Sequence, residues 1–264
     1  MKNIKPIHLL FLLGCIILFS AAQKRPVHIF MAGDSTMALK PLYKTVYDSI
    51  AGDSIAEPFP EKGWGQVLPE FFNNNILVQD LAQNGRSSRT FIEQGWWQKI
   101  MDNLQKGDYV IIQFGHNDSA QDRPDRYTPP ADYIANLSRF VDEVVAKGGK
   151  PIICTSVVRR RFDKNGAFQD SHGEYVDLAR QVAKDKNIPM IDMYEKSKSL
   201  ISALGDEQSK ELYLHVKDGE NRNFPGGRID NTHFREKGAK AMAQLFIDGL
   251  KEQKIEALTK ELKD

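Results

Sequence analysis

Cysteine is almost missing from this 264-residue chain, occurring only as Cys15 and Cys154. Cys15 lies in an N-terminal apolar run, so a chain cut beyond it cannot close an internal disulfide. Stability must then come from a hydrophobic core, which a chain of this length can bury. Charge of one sign is lacking as well. There are 36 Lys and Arg against 35 Asp and Glu, a formal net charge of +1. With no dominant basic block, nucleic acid is excluded as the main partner. Past the N-terminus no apolar run is long enough to cross a membrane. No linker, low-complexity tract or internal repeat divides the sequence. None of the six histidines forms a His-Glu-x-x-His pair, and no Cys/His cluster exists, so a metal hydrolase fits poorly. The Gly-x-Ser-x-Gly elbow of the α/β-hydrolases is also missing, since position 37 is methionine.

One long apolar run is present, at the start. Lys2 and Lys5 precede "IHLLFLLGCIILFSAAQ", which ends in Ser20-Ala21-Ala22. A basic start, an apolar middle and a small-residue exit read as a secretory signal peptide over residues 1–22. Residues 23–264 are then one mature domain, secreted or periplasmic, with formal charge −1 after the loss of two lysines. A lipobox at Cys15 and an uncleaved anchor are competing readings. Against the first, "IILFS" stays apolar after the cysteine; against the second, the stretch is short for a span.

Five further apolar runs stand out: "VHIFMAG" (27–33), "ILVQDLA" (76–82), "DYVIIQFG" (108–115), "KPIICTSVV" (150–158) and "IPMIDMY" (188–194). The strongest lack alternation, as strands buried on both faces of a parallel sheet do. Segments with helical spacing lie between them, at 63–72, 88–107, 129–149 and 172–187. In the third, Ile134, Leu137, Val141 and Val144/Val145 share a face. A last helix starting near Phe234 turns Met242, Leu245, Phe246 and Leu250 inward. Alternating strands and helices predict a three-layer α/β/α sandwich around a five-stranded parallel sheet. Cys154 then sits inert in the core. The charged tail carries Ile255, Leu258 and Leu262 at helical spacing, to pack on the body or on a partner.

Ligands of such sheets bind at the carboxyl ends of the strands. "GDSTM" puts Ser35 after the first strand, "NGRSS" puts Gly85 after the second, and "GHND" puts Asn117 after the third. A serine nucleophile needs a base, an orienter for that base, and donors where negative charge develops. "DNTHF" supplies Asp230 three residues before His233, on an expected tight turn entering the last helix. Gly85 offers an unobstructed backbone N–H, Asn117 an amide donor, and Ser35 its own N–H at the expected start of a helix. Singly these residues also fit turns and helix caps. Together, on one rim, they point to Ser35 as nucleophile, and His116 receives no role.

Gly-Asp-Ser, the glycine block, Gly-His-Asn-Asp and Asp-Asn-Thr-His resemble the four sequence blocks of the SGNH (GDSL-type) hydrolases. "NGRSSRTF", "FGHND", "TSVVRRRF" and "DNTHF" further resemble rhamnogalacturonan acetylesterases, over residues 27–250. The resemblance implies a flavodoxin-like fold and a metal-free, cofactor-free esterase. It implies Ser35 as nucleophile, His233 as base, Asp230 as orienter, and an oxyanion hole of Gly85, Asn117 and the Ser35 N–H. Asn84 departs from the pattern, standing where relatives often carry a second glycine before Arg86.

The rim loops at 116–130, 159–175 and 205–228 are long, polar and charged, unlike the apolar entrance of a lipase. Arg86, Arg89 and the run Arg159–Arg161 suit uronate carboxylates, or alternatively form a solvated turn. Trp64 is a candidate platform for a sugar ring, whereas Trp96 and Trp97 suit helix packing better. Deacetylation of plant cell-wall polysaccharide, most of all rhamnogalacturonan in pectin, is the expected reaction. Acetylated xylan, a lipid ester or a thioester are alternative substrates, and a non-catalytic glycan-binding protein is the remote alternative. Oligomeric state is not legible.

Overall fold

Five of the apolar segments become the parallel strands of one sheet in the computed structural model, which describes residues 25–48 and 52–263. The expected signal peptide and Cys15 lie outside the described residues. The strands are β1 (Val27–Gly33), β4 (Ile76–Asp80), β5 (Tyr109–Gln113), β6 (Lys150–Cys154) and β7 (Met190–Ile191). Between β1 and β4 the chain inserts β2 (Tyr43–Asp48), β3 (Asp53–Pro58) and α1 (Trp64–Val67). The sheet order is β4-β1-β5-β6-β7. In chain order of the parallel strands this is 2-1-3-4-5, the flavodoxin-like winding, whose switch point lies between β1 and β5.

Alternation along β1 divides the core into two layers, because successive side chains point to opposite faces. Ile29 and Met31 join Ile111 on one face. There they meet Trp64 of α1 and Met242 and Phe246 of α7 (Glu236–Glu252). The Trp64 and Phe246 rings lie 5.3 Å apart. Phe30 and Ala32 join Val110 and Ile112 on the other face. That face is covered by α2 (Ser88–Glu93), α3 (Trp96–Asn103), α4 (Pro130–Ala146) and α5 (Tyr175–Asp185). The Trp97 and Phe140 rings lie 4.2 Å apart, tilted by 38°. These are the expected three layers, and Cys154 is buried among them with its thiol pKa pushed up by burial.

Several local expectations need correction. The span 88–107 is two helices, because Gly95 takes φ +76° and breaks the run between α2 and α3. In α4, Val145 is 54% exposed, while Tyr133 and Phe140 fill the buried face beside Leu137 and Val141. The antiparallel hairpin of β2 and β3 has no counterpart in the sequence reading. Neither do α6 (Met193–Ser209) and the antiparallel pair β8 (Tyr213–Val216) and β9 (Arg228–Phe234). The C-terminal tail packs on the body. Leu258 of α8 (Glu256–Thr259) is fully buried, and Lys263 N donates to the Phe71 carbonyl. Among the described residues no helix is long and apolar enough to cross a membrane.

Candidate active site

The rim at the β1/β5 switch begins with Asp34. Its Oδ1 accepts from Thr36 N at 2.9 Å and from Thr36 Oγ1 at 2.8 Å, while its own carbonyl accepts from Met37 N and Ala38 N. Burial raises the Asp34 pKa, against the Thr36 bonds and the charge of Arg159. The chain thus makes a single turn at Ser35, not the expected helix. Trp64 N and Gly65 N take the carbonyls of Thr36 and Met37, at 3.0 and 3.1 Å, and the chain continues into the β2–β3 hairpin. The Ser35 N–H therefore owes nothing to a helix dipole. It donates to no acceptor among the described residues.

His233 reaches Ser35 through an irregularity in the β8–β9 ladder. Leu214 pairs with Asp230, but the preceding Tyr213 pairs with Phe234, so Asn231, Thr232 and His233 have no partners across the ladder. Such a bulge bends the strand and re-aims its side chains. This replaces the expected turn into the last helix, which begins only at Glu236. Asp230 Oδ1 accepts from the backbone N–H of Thr232 at 2.9 Å and of His233 at 3.0 Å. Its Oδ2 lies 2.9 Å from His233 Nδ1, and His233 Nε2 lies 2.8 Å from Ser35 Oγ. Burial raises the Asp230 pKa, but the hydrogen bond to His233 and the two backbone donors outweigh it. The carboxyl is held well below the usual range. An ionised carboxylate only accepts, so Nδ1 carries the imidazole proton and Nε2 presents a lone pair to the serine hydroxyl.

Gly85 takes φ +73° in the loop after β4, which favours glycine. Its N–H, like that of Ser35, meets no acceptor among the described residues. Asn117, after β5, is 9% exposed and donates from Nδ2 to the Arg86 carbonyl at 2.9 Å. An amide nitrogen carries two protons, which leaves one for a ligand. Ser35, Gly85, Asn117 and His233 line one cleft of about 670 Å³. Asn84, at the departing position, ties this rim down. Its side-chain oxygen accepts from Lys40, which also pairs with Glu61 at 2.6 Å. His116 lies at the floor, 3% exposed, its Nδ1 3.1 Å from His172 Nε2. Burial, and after it the positive charge of Arg159, keep its pKa well below the usual value.

Of the residues expected to hold substrate, Arg159 alone lines the cleft, donating to the carbonyls of Ser171 and His116. Trp64 is fully buried, and its Nε1 donates to Gln113 Oε1 at 3.2 Å, so it cannot stack on a sugar. Its face of α1 is the one that closes the core. Arg86 turns to Gln94 Oε1 at 2.7 Å, and Arg89 pairs with Glu93 at 3.1 Å. Arg161 is exposed and does not line the cleft. The cations that do line it with Arg159 include Lys44, Arg123 and Arg126, all missed in the sequence. The two arginines were within reach, since their loop follows Asn117 directly and must stay on that rim. Lys44 depends on a hairpin with no sequence signal.

The GDSL-like lipase/acylhydrolase family model matches residues 29–246. The chain is 39% identical over 230 residues to the rhamnogalacturonan acetylesterase RhgT of Bacillus subtilis, covering 87% of this chain and 92% of that one. It is 25% identical over 227 residues to a rhamnogalacturonan acetylesterase of Emericella nidulans, covering 78% and 84%. The crystal structure of the Bacillus subtilis protein YxiM superposes with a TM-score of 0.69 at 25% identity, over 87% of this chain and 57% of that chain. An acetylxylan esterase of Geobacillus stearothermophilus shares the fold, with a TM-score of 0.57 at 15% identity over 86% and 94%. The chain therefore belongs to the GDSL-like lipase/acylhydrolase family and is a serine-dependent carboxylic ester hydrolase.

Proposed function

We propose that this protein is a secreted carbohydrate esterase that removes acetyl groups from rhamnogalacturonan, with Ser35 as nucleophile. The observation that carries the mechanism is the unbroken chain from Ser35 Oγ through His233 to Asp230, at 2.8 and 2.9 Å, opening on the cleft. Ser35 Oγ attacks the acetyl carbonyl while His233 Nε2 takes the hydroxyl proton. The carbonyl oxygen becomes an oxyanion, received by the N–H groups of Ser35 and Gly85 and by Asn117 Nδ2. Collapse breaks the ester bond, and His233 returns the proton to the departing sugar hydroxyl. Water, deprotonated by the same histidine, then releases acetate and restores Ser35. Asp230 holds the imidazole in the required tautomer throughout.

The substrate class rests on two supports. Two relatives of Bacillus subtilis, covered over 92% and 93% of their length, are named rhamnogalacturonan acetylesterase and probable rhamnogalacturonan acetylesterase. The cleft carries Lys44, Arg123, Arg126 and Arg159 against Glu61 and Asp122, a balance suited to an anionic, uronate-bearing polymer. Export rests on the basic start, apolar run and Ser20-Ala21-Ala22 exit of residues 1–22. The test is acetate release by the mature protein and by Ser35→Ala from acetylated rhamnogalacturonan, homogalacturonan and xylan in parallel. Release chiefly from rhamnogalacturonan, lost in the variant, is expected. Release chiefly from xylan would keep the mechanism and overturn the substrate.

A further inference from the structure

A side-chain amide has two nearly isosteric ends, of which one donates and the other accepts. Asn117 can serve the oxyanion only with its nitrogen turned correctly, and two neighbours of fixed polarity set that choice. The Arg86 carbonyl, which can only accept, lies 2.9 Å from Nδ2. Arg126 Nη1, which can only donate, lies 3.4 Å from Oδ1. At that length the second contact is a weak hydrogen bond but a favourable meeting of a cation with the negative end of a dipole. Turning the amide over would set a carbonyl oxygen against an amide oxygen and an amide nitrogen against a guanidinium. It would also aim Oδ1 at the position where negative charge develops.

Arg126 is itself held in place. Asp125 Oδ2 accepts from its Nε at 3.1 Å and from its Nη2 at 3.0 Å, leaving Nη1 turned to Asn117. The loop that carries it is pinned at Thr128, which is fully buried. Thr128 N donates to the Asp118 carbonyl at 3.1 Å, and the Thr128 carbonyl accepts from Tyr175 Oη at 2.6 Å. The guanidinium also closes on the second donor of the site. A methyl group built on Gly85 would stand 3.2 Å from Arg126 Nη1. Arg126 therefore stands beside two of the oxyanion donors, Asn117 of its own loop and Gly85 of the loop after β4.

We propose that Arg126 is a positioning residue, which locks the Asn117 amide in its donor orientation at the oxyanion site. The proposal rests on the reading of Asn117 as an oxyanion donor. It separates Arg126 from the other cations of the cleft. Its effect falls on the acetyl carbonyl of every substrate, including one without a carboxylate or a sugar.

The test is a double-variant cycle on p-nitrophenyl acetate, with kcat and KM measured for wild type, Arg126→Ala, Asn117→Ala and the combined variant. Asn117→Ala should lose on the order of 10²–10³ in kcat. Arg126→Ala should lose about 10-fold in kcat with KM unchanged, and add at most about 2-fold to Asn117→Ala, because coupled residues are not additive. Arg126→Lys, which keeps the charge without the planar fork, should recover part of the loss. The proposal is overturned by wild-type kcat in Arg126→Ala, by a loss in KM alone, or by the same fold loss with and without Asn117. Should Arg126→Ala melt early, Arg126→Lys runs the same cycle, and additivity there overturns it equally. Asn117→Ala at the wild-type rate would overturn the oxyanion reading and this proposal together.

Discussion

Asp230→Asn isolates the role of one carboxylate while keeping its shape. In the wild type, Oδ1 is fixed by two backbone donors, from Thr232 at 2.9 Å and His233 at 3.0 Å. Asparagine can keep both of those bonds with its amide oxygen. Its NH₂ group then faces His233 Nδ1, at the place of an oxygen now 2.9 Å away. A donor opposite Nδ1 demands a lone pair there, which moves the imidazole proton to Nε2. Nε2, 2.8 Å from Ser35 Oγ, can then no longer accept the serine proton. The wrong tautomer should lower kcat about 10⁴-fold, about 5 kcal/mol in the barrier. Folding should change much less, on the order of 1 kcal/mol. The assay is kcat on p-nitrophenyl acetate beside a thermal melt. The low Asp230 pKa adds a second readout. Its ionised form stabilises the fold fully above the unfolded value of about 3.9 and loses that contribution as pH falls through the lower native value. The variant's melting temperature should therefore fall less steeply in acid. A folded Asp230→Asn protein within about tenfold of wild-type kcat would show that Asp230 does not set the His233 tautomer.

Gly85→Ala must hold a side chain at φ +73° with its methyl 3.2 Å from Arg126 Nη1. Displacing that N–H should cost on the order of 10²–10³ in kcat, and kinetics at wild-type level would remove Gly85 from the oxyanion site. Asp80 is raised to about 8 by burial, against the Ala82 N–H and the charge of Lys40. The folded protein then keeps a proton that the unfolded chain releases above about 3.9. Stability should fall as pH rises from about 4 to about 8, and Asp80→Asn should flatten that slope in melts across the range. An unchanged slope would count against the buried neutral acid. Trp64→Phe leaves Gln113 Oε1 without its indole donor. It should cost about 1–3 kcal/mol in denaturant melts and leave KM for the polysaccharide unchanged, whereas a raised KM in a stable variant would restore Trp64 as a sugar platform.

The parallel sheet was legible because buried strands must be apolar on both faces, as "YVIIQ" in β5 is. Once those runs are ordered, Ser35, Gly85 and Asn117 fall on one rim through their places after β1, β4 and β5. The β2–β3 and β8–β9 hairpins escaped for the opposite reason. "YKTVYD" and "DSIAEP" pair chiefly with each other outside the main sheet and carry little apolar signal. The bulge that aims His233 is a matter of register between two strands, which no local spacing encodes. Arginine roles were the least legible, because their partners are distant or undistinguished. Arg160 is claimed by Asp206 and Asn231, whereas its neighbour Arg159 turns to two carbonyls at the cleft. Trp64 misled because one indole serves a core or a sugar platform with the same sequence signature.

The proposed mechanism requires Ser35 to form the covalent intermediate. Its most direct test is intact-mass and peptide mass spectrometry after treatment with a fluorophosphonate, on wild type and on Ser35→Ala. One adduct is expected, on the peptide bearing Ser35, forming in step with loss of esterase activity and absent from the variant. An adduct on another residue, or full acetate release by Ser35→Ala, would contradict it.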